Sequence, residues 1–116
     1  MSDLEKTIVD AVSKPDLCGG LTEVGKAIYE SRTKIDHQKL FDYFTRNEMQ
    51  VAKKRYLFLS DLLDLEWSLY HESMMNNLGS GYPLLDTTGL DQGRRDSKFG
   101  LRINVDMDTI KNAIYT

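Results

Sequence analysis

Residues 36–78 read DHQKLFDYFTRNEMQVAKKRYLFLSDLLDLEWSLYHESMMNNL, and the stretch contains neither Gly nor Pro. Leu78-Gly79-Ser80-Gly81 closes it. Phe41, Phe44, Val51, Phe58, Leu62, Leu65 and Leu69 follow one another at steps of three and four, with Glu48 and Arg55 interrupting the row. That is the spacing of a helix seam. A second row, Ala52, Tyr56, Leu59, Leu63 and Tyr70, widens the apolar face. A face of that width suits burial by several neighbours rather than one partner helix. Asp36 is placed to cap the first turn, where its carboxylate accepts from free N–H groups.

As one uninterrupted helix the stretch would run for about 60 Å at 1.5 Å per residue. A chain of 116 residues folds to a radius of gyration of roughly 13–14 Å and cannot cover such a rod alone. Two outcomes follow: the rod breaks, or a second copy covers it. Thr45-Arg46-Asn47 and Ser60-Asp61 are the two places with cap chemistry where a break fits. The reading carried forward is a self-associating helical protein.

The remainder of the chain adds short elements. Ser2-Asp3-Leu4-Glu5 has capping-box form, and Leu4, Ile8, Val9 and Val12 share a face of a helix that Ser13-Lys14-Pro15 ends. Asp16 to Gly20 reads as a turn, because its Gly-Gly pair lacks the downstream Gly-Lys-Ser/Thr of a phosphate cradle. A second helix opens at Leu21 or Thr22 with Leu21, Val24 and Ile28 on one side. Gly25 inside it costs about 1 kcal/mol relative to Ala, which points to a close helix crossing there. A short helix leading into Asp36, His37, Gln38 and Lys39 invites a weak comparison with helix-turn-helix proteins.

Beyond Leu78 the character changes. Leu84 to Thr88 reads as a short strand, Gly89 to Lys98 as a loop, and Phe99, Leu101, Ile103 and Val105 alternate with polar partners as a half-buried strand. Met107, Ile110 and Ile114 mark a terminal helix capped by Asp106. The predicted fold is therefore mainly α with a small β element. It is a helical bundle on a long or broken central helix, with a C-terminal β-hairpin and a short last helix, in one domain spanning 1–116.

Fifteen Lys and Arg against eighteen Asp and Glu give a net charge of −3, which does not announce a nucleic-acid protein. Cys18 is the only cysteine, so an internal disulfide is excluded and a reducing compartment is expected. It reads as a small buried filler. No signal core or long apolar run is present, so the expectation is a soluble cytoplasmic protein without a membrane partner.

Chemistry is sparsely signalled. His37 and His71 lie far apart, and neither stands in a metal-ligand spacing with a carboxylate. Asp61 and Asp64 share a face, as solvated acids commonly do. No catalytic, cofactor or metal residue is assigned, and His71 reads as surface. Lys53, Lys54 and Arg55 form the densest basic run, most simply a solvated helix face. With Arg94 and Arg95 they are the candidate phosphate contacts. Aromatic and Met side chains are enriched at partner surfaces, which makes Phe58, Leu62, Leu65, Trp67, Leu69, Tyr70 and Met74 the candidate interface.

Three functions follow in order. The first is a non-enzymatic adaptor or oligomer, a homodimer above all, acting through helix-mediated protein contacts. The second is a nucleic-acid-associated regulatory or accessory protein, of viral or phage origin among other sources, using the basic clusters. The third is a small hydrolase or metal enzyme.

Overall fold

Asp36 does cap a helix, and the helix it caps is short. Its Oδ1 accepts from the N–H groups of Gln38 at 3.1 Å and Lys39 at 3.2 Å. In the computed structural model, helix α3 then runs only from His37 to Arg46, α4 from Gln50 to Leu62, and α5 from Leu69 to Met75. The structure describes residues 4–15, 19–46, 50–65, 67, 69–76, 81, 83, 85, 93–96, 98–104 and 107–115, with Met107 and Tyr115 described by their backbone alone. Ser2, Cys18, Asn47, Glu48, Glu66, Leu84, Val105 and Asp106 lie outside these residues, so the readings made of them are neither supported nor opposed.

The stretch therefore folds back on itself. The first interruption follows Arg46, one of the two places foreseen. The second falls at Leu63-Asp64, three residues beyond the site expected at Ser60-Asp61. Here Asp64 adopts a left-handed φ of 56°. Its N–H donates to Asp61 O at 3.2 Å, and the N–H of Leu65 donates to Ser60 O at 3.0 Å. These are the two bonds of a Schellman ending, which satisfies the last carbonyls of α4. Asp stands where Gly is usual, and Asp is among the few side chains that tolerate this conformation.

α3, α4 and α5 pack on one another. The longest dimension of the molecule is 35 Å and its radius of gyration is 13.1 Å, far short of an extended rod. The premise for expecting a covering second copy, an extended rod, is thereby removed, because the stretch folds back and most of its apolar side chains pack into the chain's own core. Every residue from Ala52 to Ser60 is buried, so α4 is the central helix of the core, not one side of an open seam.

Around it, α1 (Leu4–Ser13) packs on α2 (Leu21–Ser31), α3 and α4, and α2 packs on α6 (Met107–Tyr115). Ile8, Val9 and Val12 of α1 and Leu21, Val24 and Ile28 of α2 enter one core with Leu57, Leu59 and Ile114. Gly25 marks the close crossing read from the sequence: a Cβ there would lie 2.8 Å from Ile114 Cδ1 and 3.6 Å from Leu59 Cδ2. The missing side chain lets α6 approach α2. Glu5 reaches beyond its own helix. Its Oε2 accepts the Asp36 N–H at 3.1 Å, so the first turn of α1 ties down the start of α3.

The β element is an antiparallel pair, β1 (Arg94–Asp96) and β2 (Leu101–Ile103). The sequence placed β2 within a longer strand but read β1 as loop. Leu85, read as part of a strand over Leu84–Thr88, lies in neither strand, and residues 84 and 86–88 lie outside the described residues, but the chain at Leu85 bonds to β2. Leu85 N–H donates to Arg102 O at 3.0 Å, and Arg102 N–H donates to Pro83 O at 2.8 Å. Phe99, Leu101 and Ile103 are buried, with the Phe99 ring edge-on to Phe58 at 5.8 Å between centroids. The hairpin is thus anchored to the helical core, as a two-stranded element requires. Among the described residues no helix is long and apolar enough to cross a membrane.

Candidate functional site

The Schellman turn that breaks the stretch also builds a cavity. Leu63, Asp64 and Leu65 form one wall of a pocket of about 740 Å³. The end of α2 supplies Tyr29, Arg32 and Thr33, the α2–α3 link and the start of α3 supply Ile35 and His37, and α4 and α5 supply Tyr56 and His71. A volume of this size falls in the range of ligand pockets, roughly 300–1,000 Å³.

His37 and His71, remote in sequence, face each other with ring centroids 5.3 Å apart. His71 is not a surface residue; it is 1% exposed. Tyr56 stacks on it at 5.7 Å with a 22° interplanar angle, and Trp67 lies 4.7 Å away. Phe44 continues the row behind Tyr56 at 5.7 Å. A line of rings therefore runs from Phe44 in the core through Tyr56 and His71 to Trp67. Such tilted and offset pairs suit the ring quadrupoles, at about 0.5–1.5 kcal/mol each beyond area burial.

Burial, aided by the nearby charge of His37, lowers the His71 imidazole to about 4, so the ring is neutral at pH 7. Burial also pushes the Tyr56 phenol up to about 12, against the opposing hydrogen bond of Ser60. Tyr56 thus keeps its proton. At the mouth, the Arg32 guanidinium sits 4.0 Å over the Tyr29 ring and its Nη1 donates to Tyr29 O at 2.6 Å. It neutralises the C-terminal end of α2 while holding a fixed positive charge beside the cavity. Among the described residues no group of three or more His, Cys, Asp or Glu is placed to hold a metal ion.

The candidate interface residues separate into three kinds. Phe58 and Met74 are buried in the chain's own core, which removes them from any surface. Leu62, Leu65 and Trp67 are partly buried against that core. Tyr70 is also half-buried, its ring 5.6 Å from Phe41. Leu69 is 84% exposed. It occupies the first position of α5, between Trp67 and His71. Trp67 is itself fixed, its Nε1 donating to Glu72 Oε1 at 2.6 Å.

The basic run behaves differently from its sequence reading. Lys53, Lys54 and Arg55 are 6%, 1% and 4% exposed, so they form neither a solvated face nor a surface for phosphates. Arg55 Nη1 donates to Val12 O at 2.9 Å and to Ser13 O at 3.3 Å, supplying the cation that the last turn of α1 lacks. Lys54 Nζ donates to Gly81 O at 3.2 Å and lies 3.1 Å from where a Gly100 side chain would begin. Burial lowers the pKa of Lys54, and burial with the Lys54 charge lowers that of Lys53. Arg94 and Arg95 are exposed on β1. Of the helical run, Lys54 is thus placed beneath the hairpin turn at Gly100.

Comparison with family models, curated proteins and solved structures finds no match to this chain. Its function is argued from the geometry alone.

Proposed function

We propose that this chain is a non-enzymatic interaction protein that holds a partner protein at the α2–α5 pocket. The partner presents an apolar or aromatic anchor side chain, which enters the cavity. Leu65 lines the cavity, Trp67 lies against its His71 wall, and Leu69 is the exposed apolar side chain of the same helix. The observation that carries this reading is Leu69, which lies 84% exposed on the element that also contributes His71 to the cavity wall. Val51, at 39%, is the other large apolar side chain exposed among the described residues. A recess lined by Tyr29, Tyr56 and two histidines, on a helix that also exposes Leu69, suits the aromatic and apolar anchors that carry most of the energy at interface hot spots. Arg32 and Asp64 at the mouth would supply polar contacts that fix orientation.

Selection of a displayed random-peptide library against the folded protein tests this. Enriched peptides should share a large apolar residue and should lose at least tenfold in affinity for Leu69→Glu, which leaves the core untouched. Peptides that bind wild type and Leu69→Glu equally would overturn the proposal, as would a library from which nothing is enriched.

A further inference from the structure

The α2–α5 cavity carries two opposite charges that the described chain does not neutralise. Arg32 and Asp64 both line it, and both are exposed to solvent. Neither has an ion-pair partner among the described residues, and they do not pair with each other. They stand on different walls, Arg32 at the end of α2 and Asp64 in the turn that ends α4.

Each is held in place. The Arg32 guanidinium lies 4.0 Å over the Tyr29 ring and donates one N–H to Tyr29 O, so most of its donors remain open to a ligand. The Asp64 backbone is fixed by the two hydrogen bonds of the Schellman turn. Acids on the neighbouring elements are engaged elsewhere. Asp36 caps α3, Asp61 lies 3.7 Å from Lys98 Nζ, and Glu72 accepts from Trp67 Nε1.

A wholly apolar segment seated here would strip water from both charges without replacing its hydrogen bonds, and an uncompensated charge is costly to desolvate. A segment with one charge would satisfy one wall and desolvate the other. We propose that the partner segment carries both: a large apolar or aromatic anchor, flanked on one side by an acidic residue that meets Arg32 and on the other by a basic residue that meets Asp64. Charges of opposite sign on different walls also set the direction in which the segment runs. The inference rests on the pocket being the partner site.

Sequences selected from the displayed peptide library, followed by fluorescence anisotropy with the selected peptides, test it. The sequences should carry an acid and a base on opposite sides of the anchor, in one order and not the reverse. Converting the peptide acid to its amide should weaken binding to wild type about threefold, in the range of exposed ion pairs, and leave binding to Arg32→Gln unchanged. Converting the peptide base to Gln should likewise weaken binding to wild type and leave binding to Asp64→Asn unchanged. Arg32 is exposed and Asn tolerates the left-handed backbone, so both variants should melt close to wild type. Selected peptides that lose affinity for Leu69→Glu but carry no such charges would overturn this inference and leave the pocket as the partner site. So would neutralised peptides that weaken equally on wild type and variant. A library from which nothing is enriched would overturn both.

Discussion

Replacing His71 by Phe should flatten the dependence of stability on pH. In the folded chain the imidazole titrates at about 4, lowered chiefly by burial and further by the charge of His37; unfolded, it titrates at about 6.5. Above about pH 6.5 the ring is neutral in both states and no penalty arises. As pH falls below that value the unfolded chain takes up the proton first, so wild-type stability declines through the window from about 6.5 to about 4 and then levels. For a group fully shielded from water, the loss between about pH 7.5 and about pH 5 would be about 2 kcal/mol. One flank of the ring lines an open cavity, and screening there reduces the expected loss to about 1 kcal/mol. Phe keeps a ring between Tyr56 and Trp67 but cannot titrate. Urea unfolding of both proteins at the two pH values reads the effect directly, because groups shared by the two proteins cancel. The reasoning is refuted if wild type and His71→Phe lose the same stability between those values, or if the His71 ring is seen by NMR to titrate near 6.5.

Other substitutions probe the frame that holds the pocket. Arg55→Met removes the charged donor from the Val12 and Ser13 carbonyls and should cost about 2–4 kcal/mol in chemical unfolding; a loss below about 0.5 kcal/mol would class Arg55 with ordinary surface residues. Asp64→Gly relieves the left-handed residue at the end of α4 and should raise stability by about 0.5–1 kcal/mol in the same assay, whereas a loss would mean that the Asp64 side chain supports the turn. Light scattering from micromolar to near-millimolar concentration should return the mass of one chain, since the central stretch is covered from within; a dimer throughout would restore the case for self-association.

Where a feature depended on neighbours in sequence, it could be read in advance. The Asp36 cap, the end of α1 at Ser13, the Gly25 crossing and the alternation around Leu101 and Ile103 all rest on local chemistry, and the structure contains each. β1 was missed because Arg94-Arg95-Asp96 has no apolar alternation; its pairing comes from β2. The Leu63-Asp64 break was displaced because no Gly or Pro announces it, and an aspartate fills the left-handed position instead. Burial of Lys53, Lys54 and Arg55 could not be read locally at all. The carbonyls that receive Lys54 and Arg55 belong to Gly81, Val12 and Ser13, and only the folded topology brings them together. The same holds for the site. His37 and His71 meet because α5 returns along α3 after the break, and the one available signal, aromatic residues recurring near both histidines, does not distinguish a pocket wall from core.

The central claim is that the folded-back stretch creates a binding pocket with His71 of α5 in its wall. The most direct measurement is the map of backbone amide shifts when a library-selected peptide is added to isotope-labelled protein. The changes should centre on Tyr29, His37, Leu65, Leu69 and His71. Changes confined to the hairpin, or to α1 and α6, with the pocket amides unmoved, would contradict it.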